Sequence, residues 1–86
     1  MDQKLELNDG TELVDSYAIE AGGVLWVYCY AGISFGDLFA LLNDPEKTGT
    51  ITMTRAGTET EFNGYDELFC IRKEDVNFIS AGIRKA

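Results

Sequence analysis

The chain has 86 residues, 15 acidic and 7 basic, no histidine and a net charge of −8. A chain of this length buries only about 60% of its unfolded surface, which predicts one domain over residues 1–86 and modest stability. With 45% apolar and 12% aromatic residues it is neither disordered nor membrane-spanning, and its acidity disfavours direct nucleic-acid binding, which needs a basic face.

The charge is unevenly placed. Asp2, Glu6, Asp9, Glu12, Asp15, Glu20, Asp37, Asp44 and Glu46 face only Lys4 in the first 46 residues, whereas acids and bases balance after that. Solubility is the plain reading; the sharper one is an acidic face that meets a basic partner or imitates nucleic acid. The start, Met1-Asp2-Gln3-Lys4, lacks the basic and apolar regions of a secretory signal, so a cytoplasmic location is expected. Cys29 and Cys70 belong to no C-x-x-C pair and read as reduced thiols in or near a core; a bond between neighbouring strands or subunits is the alternative.

In chain order, "LEL" alternates and "NDG" supplies hairpin-turn chemistry, with Leu13 and Val14 opening the return strand. Loop length decides which of the two faces inward. "DSYAIEA" continues as strand or irregular edge until Gly22-Gly23. "VLWVYCY", residues 24–30, is apolar on both sides: Val24, Trp26, Tyr28 and Tyr30 share one face, and Leu25, Val27 and Cys29 share the other.

Ser34 and Asp37 form a capping pattern, and Phe35, Leu38, Phe39 and Leu42 repeat at helical spacing until Asn43-Asp44-Pro45. A helix over about residues 34–43 is too short to persist alone, so it is expected to cover the Leu25/Val27/Cys29 face. "EKTG" then turns the chain. "TITMT" and "TETEF" pair across Ala56-Gly57, placing Met53 opposite Thr60, Ile51 opposite Phe62, Thr52 opposite Glu61 and Thr54 opposite Glu59. "NGY" bends the chain again. "ELFCIR" and "VNFISAGI" close the order, with Ile71 opposite Phe78 if Glu74 and Asp75 form the loop. The expected fold is α+β, an antiparallel sheet or sheets with one short helix packed on one face, in the order β-β-β-α-β-β-β-β.

Catalytic chemistry is hard to find. The absence of histidine removes the commonest general base and metal ligand, and two cysteines do not build a zinc site unaided. The phosphate-loop and calcium-loop spacings are missing. The carboxylates Glu59, Glu61, Asp66 and Glu67 fall in no pattern that sets two pKa values apart. No catalytic residue, metal site or cofactor is expected. The aromatic residues Trp26, Tyr28 and Tyr30, with Tyr65 and Tyr17 nearby, form either a second core layer or a contact surface, and exposed strand edges offer a further route to assembly.

The succession "LNDGTEL", "LWVYCY", "LFALLNDPEKTGTIT" and "FNGYDEL" resembles the small, mostly uncharacterised proteins encoded in tail and structural-gene modules of bacteriophages and prophages of Gram-positive, often gut, bacteria. The resemblance covers nearly the whole chain, and its motifs report turns and packing. It implies a non-enzymatic structural or assembly component that binds other proteins or copies of itself, as in a ring, and is incorporated in a virion. The resemblance itself names no contact residues; strand periodicity makes Trp26, Tyr28 and Tyr30, with Tyr65, the expected contact surface. The competing expectation is an acidic inhibitor of a host protein, with Asp9, Glu12, Asp15 and Glu20 at the interface.

Overall fold

Alternation along eight strands decides which side chains meet in this protein, whose computed structural model describes residues 3–85. In chain order these are β1 (Gln3–Glu6), β2 (Glu12–Val14), β3 (Ser16–Ala21) and β4 (Val24–Cys29). The helices α1 (Phe35–Leu42) and α2 (Pro45–Thr48) follow, then β5 (Thr50–Arg55), β6 (Thr58–Asn63), β7 (Tyr65–Asp75) and β8 (Phe78–Lys85). They form two antiparallel four-stranded sheets, β2-β1-β5-β6 and β3-β4-β8-β7, so the fold is α+β as expected.

One core lies between the sheets. The first sheet supplies Leu5, Leu13, Ile51 and Phe62, with Leu7 just beyond β1; the second supplies Ala18, Leu25, Val27, Cys29, Ile79, Ala81 and Ile83. Leu13, not Val14, turns inward. Each fully buried Leu or Ile contributes about 1.5–3 kcal/mol through removal of apolar surface from water. The first sheet is therefore the main cover of the Leu25/Val27/Cys29 face, and α1 adds Leu38 and Leu42 at one side, next to α2 and β7.

This corrects the expected helical stripe. Leu38 and Leu42 are buried, whereas Phe35 and Phe39 remain 40% and 43% exposed, because α1 meets the core along a narrow line rather than lying flat across a sheet. Its ends follow the sequence. Ser34 Oγ accepts from the Asp37 N–H at 3.2 Å, and Asn43 ends the helix with its N–H on the Phe39 carbonyl. Asp44 then caps α2 by accepting from the Glu46 N–H at 3.0 Å, with Pro45 at the first turn, where no N–H is needed.

The return strand of the first hairpin also departs from expectation. Asp15, at φ 50°, breaks it into β2 and β3, which belong to different sheets. The chain thus has four strands before the helices, and Ser16 Oγ ties the corner by donating to the Val14 carbonyl at 2.9 Å. The β5–β6 register agrees at every pair named above, across a turn in which Ala56 and Gly57 both have positive φ.

The β7–β8 register differs. Asp75 pairs with Phe78 and Ile71 with Ala81, so Val76 and Asn77 form the loop. Eleven residues of β7 face eight of β8, and three register shifts absorb the excess.

The helix geometry has a direct consequence. Leu38→Ala should lower stability by about 2–5 kcal/mol, whereas Phe39→Ala should cost well under about 1 kcal/mol, read from urea denaturation followed by Trp26 fluorescence. Equal losses would show that the exposed ring carries as much packing as the buried leucine.

Candidate functional site

The outer face of the second sheet gathers aromatic residues from all four strands. Strand pairing aligns Tyr17, Tyr28, Ser80 and Arg72 in one row and Ile19, Trp26, Gly82 and Cys70 in the next. Tyr17 stacks on Tyr28 at 5.0 Å, Tyr28 on Phe78 at 6.2 Å, and Phe78 on Tyr30 at 4.4 Å with the two rings parallel to within 1°. Trp26 meets Phe69 edge-on at 5.8 Å.

Gly82 makes that last contact possible. A Cβ there would lie 2.8 Å from Phe69 Cζ and 2.9 Å from both Cys70 Sγ and Trp26 Cζ3. Phe69 and Cys70 are consecutive, yet both reach this spot, because the bulge between Leu68 and Cys70 turns them to one side. Cys29 lies in the core and Cys70 is half-buried here; both are unbonded.

The charges on this face neutralise one another. Arg84 stacks over Phe69 at 4.9 Å and donates to Glu67 at 2.7 Å; Arg72 lies 3.4 Å from Glu74, which also accepts from Ser80 Oγ. Ile19, Tyr30 and Phe69 are exposed, while Trp26, Tyr28 and Phe78 are half-buried. Trp26, Tyr28 and Tyr30 therefore share one surface, as strand periodicity anticipates.

Tyr65 does not join them. It is only 2% exposed, its phenol donates to the Glu20 carboxylate, and the Lys85 ammonium sits 5.1 Å from its ring, so it is a core residue with a satisfied polar tip. In its place the surface includes Ile19, Phe69 and Phe78. Phe78 follows from the alternation of β8, whereas Phe69 stands outward at the register shift between Leu68 and Cys70.

The expected acidic face is also redistributed. Asp9 lies in the β1–β2 turn, Asp15 at the corner between sheets, and Glu20 in β3, opposite Leu25, is bound by Tyr65; of the four, Glu12 stands on the outer face of the first sheet. There, on the outer side of the first sheet, pairing aligns Glu12, Glu6, Thr52 and Glu61 in one row and Val14, Lys4, Thr54 and Glu59 in the next. Four carboxylates thus surround one lysine. Lys4 is held above its ordinary value of 10.5, first by its hydrogen bond to Glu12 at 2.7 Å, then by the charge of Glu12, with Glu6 and Glu59 adding to it. Asp2, counted with the acidic half, lies outside the described residues.

Two concave regions flank the aromatic face. One, of about 460 Å³, is lined by Gln3, Asp15, Tyr17, Tyr30 and Arg55, at the seam between the sheets. The other, of about 240 Å³, lies below α1 between Cys29, Ile33, Phe35, Lys73 and Ile79. Among the described residues no group of three or more cysteines and carboxylates is placed to hold a metal ion, and no helix is long and apolar enough to cross a membrane. No family model matches the chain, and neither a curated protein nor a solved structure matches it.

Two outcomes follow from this geometry. Gly82→Ala should cost about 1–2 kcal/mol in urea denaturation, with a red-shift of Trp26 emission as the indole is pushed outward; an unchanged midpoint and spectrum would show that Trp26 and Phe69 do not depend on the bare glycine. Asp9 accepts from the Thr11 N–H at 3.0 Å, and this hydrogen bond foremost holds its carboxyl below the ordinary 3.8. Its contribution to stability is therefore complete above that value and lost as the pH falls through the lower folded value. An NMR titration should place the Asp9 midpoint below 3.8, and a midpoint at or above it would show the turn open in solution.

Proposed function

We propose that this chain is a non-enzymatic protein-binding module, a small structural or assembly component of a phage or prophage tail that joins copies of itself or a neighbouring virion protein. The phage context rests on the order of motifs described above. The observation that carries the binding role is the continuous outer face of the second sheet, where Ile19, Trp26, Tyr28, Tyr30, Phe69 and Phe78 stand together without a covering layer. Trp and Tyr dominate binding hot spots because they bring a large apolar area at low entropic cost.

Four strands about 4.8 Å apart, paired over about six residues, give a face on the order of 300–400 Å². That is large for an exposed apolar patch on a monomer, yet about half of what each partner gives to a standard interface. Such a face suits a subunit that uses more than one contact, as in a ring. The absence of histidine, and the pairing of Arg72 and Arg84 with Glu74 and Glu67, favour binding over catalysis. In this reading the protein acts in the host cytoplasm before incorporation in the virion.

A second reading is favoured by the opposite side of the molecule. Glu6, Glu12, Glu59 and Glu61 around Lys4 make an acidic surface suited to a basic host protein, as an inhibitor or nucleic-acid mimic would need. Glu6 lies directly opposite Glu12, a like-charge pair that sheet stability alone disfavours.

Light scattering on a sizing column at about 50 and about 500 mM salt separates the two. A dimer or larger ring at both salts, dissociated by Trp26→Ala, is expected. A monomer at both salts would overturn self-assembly through the aromatic face and favour the acidic surface, whose binding to a basic partner weakens with salt.

A further inference from the structure

We propose that the cleft at the seam between the sheets receives the C-terminal residue of a partner chain, a ring side chain next to a free carboxylate. Four separate segments build this cleft. Gln3 comes from β1, Asp15 and Tyr17 from the corner where the chain changes sheets and the start of β3, Tyr30 from the residue after β4, and Arg55 from the end of β5. At about 460 Å³ it falls within the range of small-ligand sites, and its lining combines aromatic walls with a few polar groups.

Arg55 is the informative residue. Its guanidinium lies 5.1 Å from the centre of the Tyr17 ring, and among the described residues it forms no ion pair. Arg72 and Arg84 each have a glutamate partner. In a chain with 15 acids and 7 bases, an arginine that forms no ion pair among the described residues, beside an aromatic cleft, is poised for an anion from elsewhere. Stacking on Tyr17 restrains the guanidinium plane and leaves its N–H edge available for a carboxylate.

The remaining groups narrow the ligand. Tyr17 and Tyr30 offer ring surfaces to a planar apolar group. Asp15 opposes a bare, multiply charged anion such as phosphate, but accepts an N–H. A C-terminal aromatic residue supplies all three features: a carboxylate for Arg55, a ring for the tyrosines and an amide N–H for Asp15. The cleft shares Tyr17 and Tyr30 with the aromatic face but does not need that face to assemble.

N-acetyl-L-phenylalanine is the direct probe, since it carries the ring, the carboxylate and the amide N–H. Titrated into the full chain and followed by amide and side-chain NMR, it should bind on the order of millimolar, with shifts centred on Gln3, Asp15, Tyr17, Tyr30 and Arg55. Its carboxamide should bind at least about tenfold more weakly, and Arg55→Gln should weaken the acid by a similar factor. Phenylacetate, which lacks the amide, should also bind more weakly. Sizing of the same samples reads self-assembly independently of the NMR shifts, so failure here is distinguishable from failure of the self-assembly reading. The proposal is overturned by absent shifts at tens of millimolar, by equal binding of the carboxamide, or by an unaffected Arg55→Gln variant. Equal binding of phenylacetate overturns the chain-terminus source.

Discussion

The burial of one side of β4 between two sheets is the packing on which the molecule depends. Leu25 and Val27 are almost fully removed from water, and their neighbours Ile83 and Ala81 on β8 are equally enclosed. To enclose them the chain changes sheets at Asp15, so that β1 and β2 swing over the core instead of extending the second sheet. A chain of this size has one layer available for that purpose. Both helices are spent at the edge of the same core, and among the described residues no layer covers the other side of β4.

The two outer surfaces consequently differ in kind. Across the first sheet, short and charged side chains alternate with the core residues, and the carboxylates outnumber the single lysine among them. Across the second, aromatic rings alternate with the core, and the arginines and glutamates present are engaged with each other. Because the core separates these surfaces, each can be used without disturbing the other. The acidic side provides long-range, salt-dependent attraction, whereas the aromatic side acts only at contact.

Much of this was legible where local rules and tertiary packing agree. The Ser34 cap, the helix stop before Pro45 and every pair in the β5–β6 hairpin follow from spacing and turn chemistry, since Ala56-Gly57 leaves only one register that buries Ile51 and Phe62 together. What stayed hidden depends on long-range geometry. Asp15 carries a positive φ without the glycine that would announce it. The three bulges of β7 have no glycine to mark them either, so the expected β7–β8 loop falls two residues before the observed one. Tyr65 resembles the surface tyrosines in sequence; only the arrival of Glu20 from a strand 45 residues away explains why it is buried. The acidic surface needed the pairing of β1 with β5, which brings Glu6 and Glu59 to one side from strands far apart in the chain.

The irregularity of β7 has a consequence for how such a chain survives at high concentration. A sheet with an exposed aromatic surface and an open edge invites endless stacking of one copy on the next. Here the rim of each sheet is spoiled in its own way: β2 has three residues, β6 carries glutamates, and the β3 amide of Ala18 is turned onto Met53 Sδ of the other sheet at 3.3 Å. Along β7 the three kinks break the even ladder of amides and carbonyls that an incoming strand would have to match. Fibrous growth is obstructed at the rims, and the flat surfaces are left as the places where copies or partners can meet.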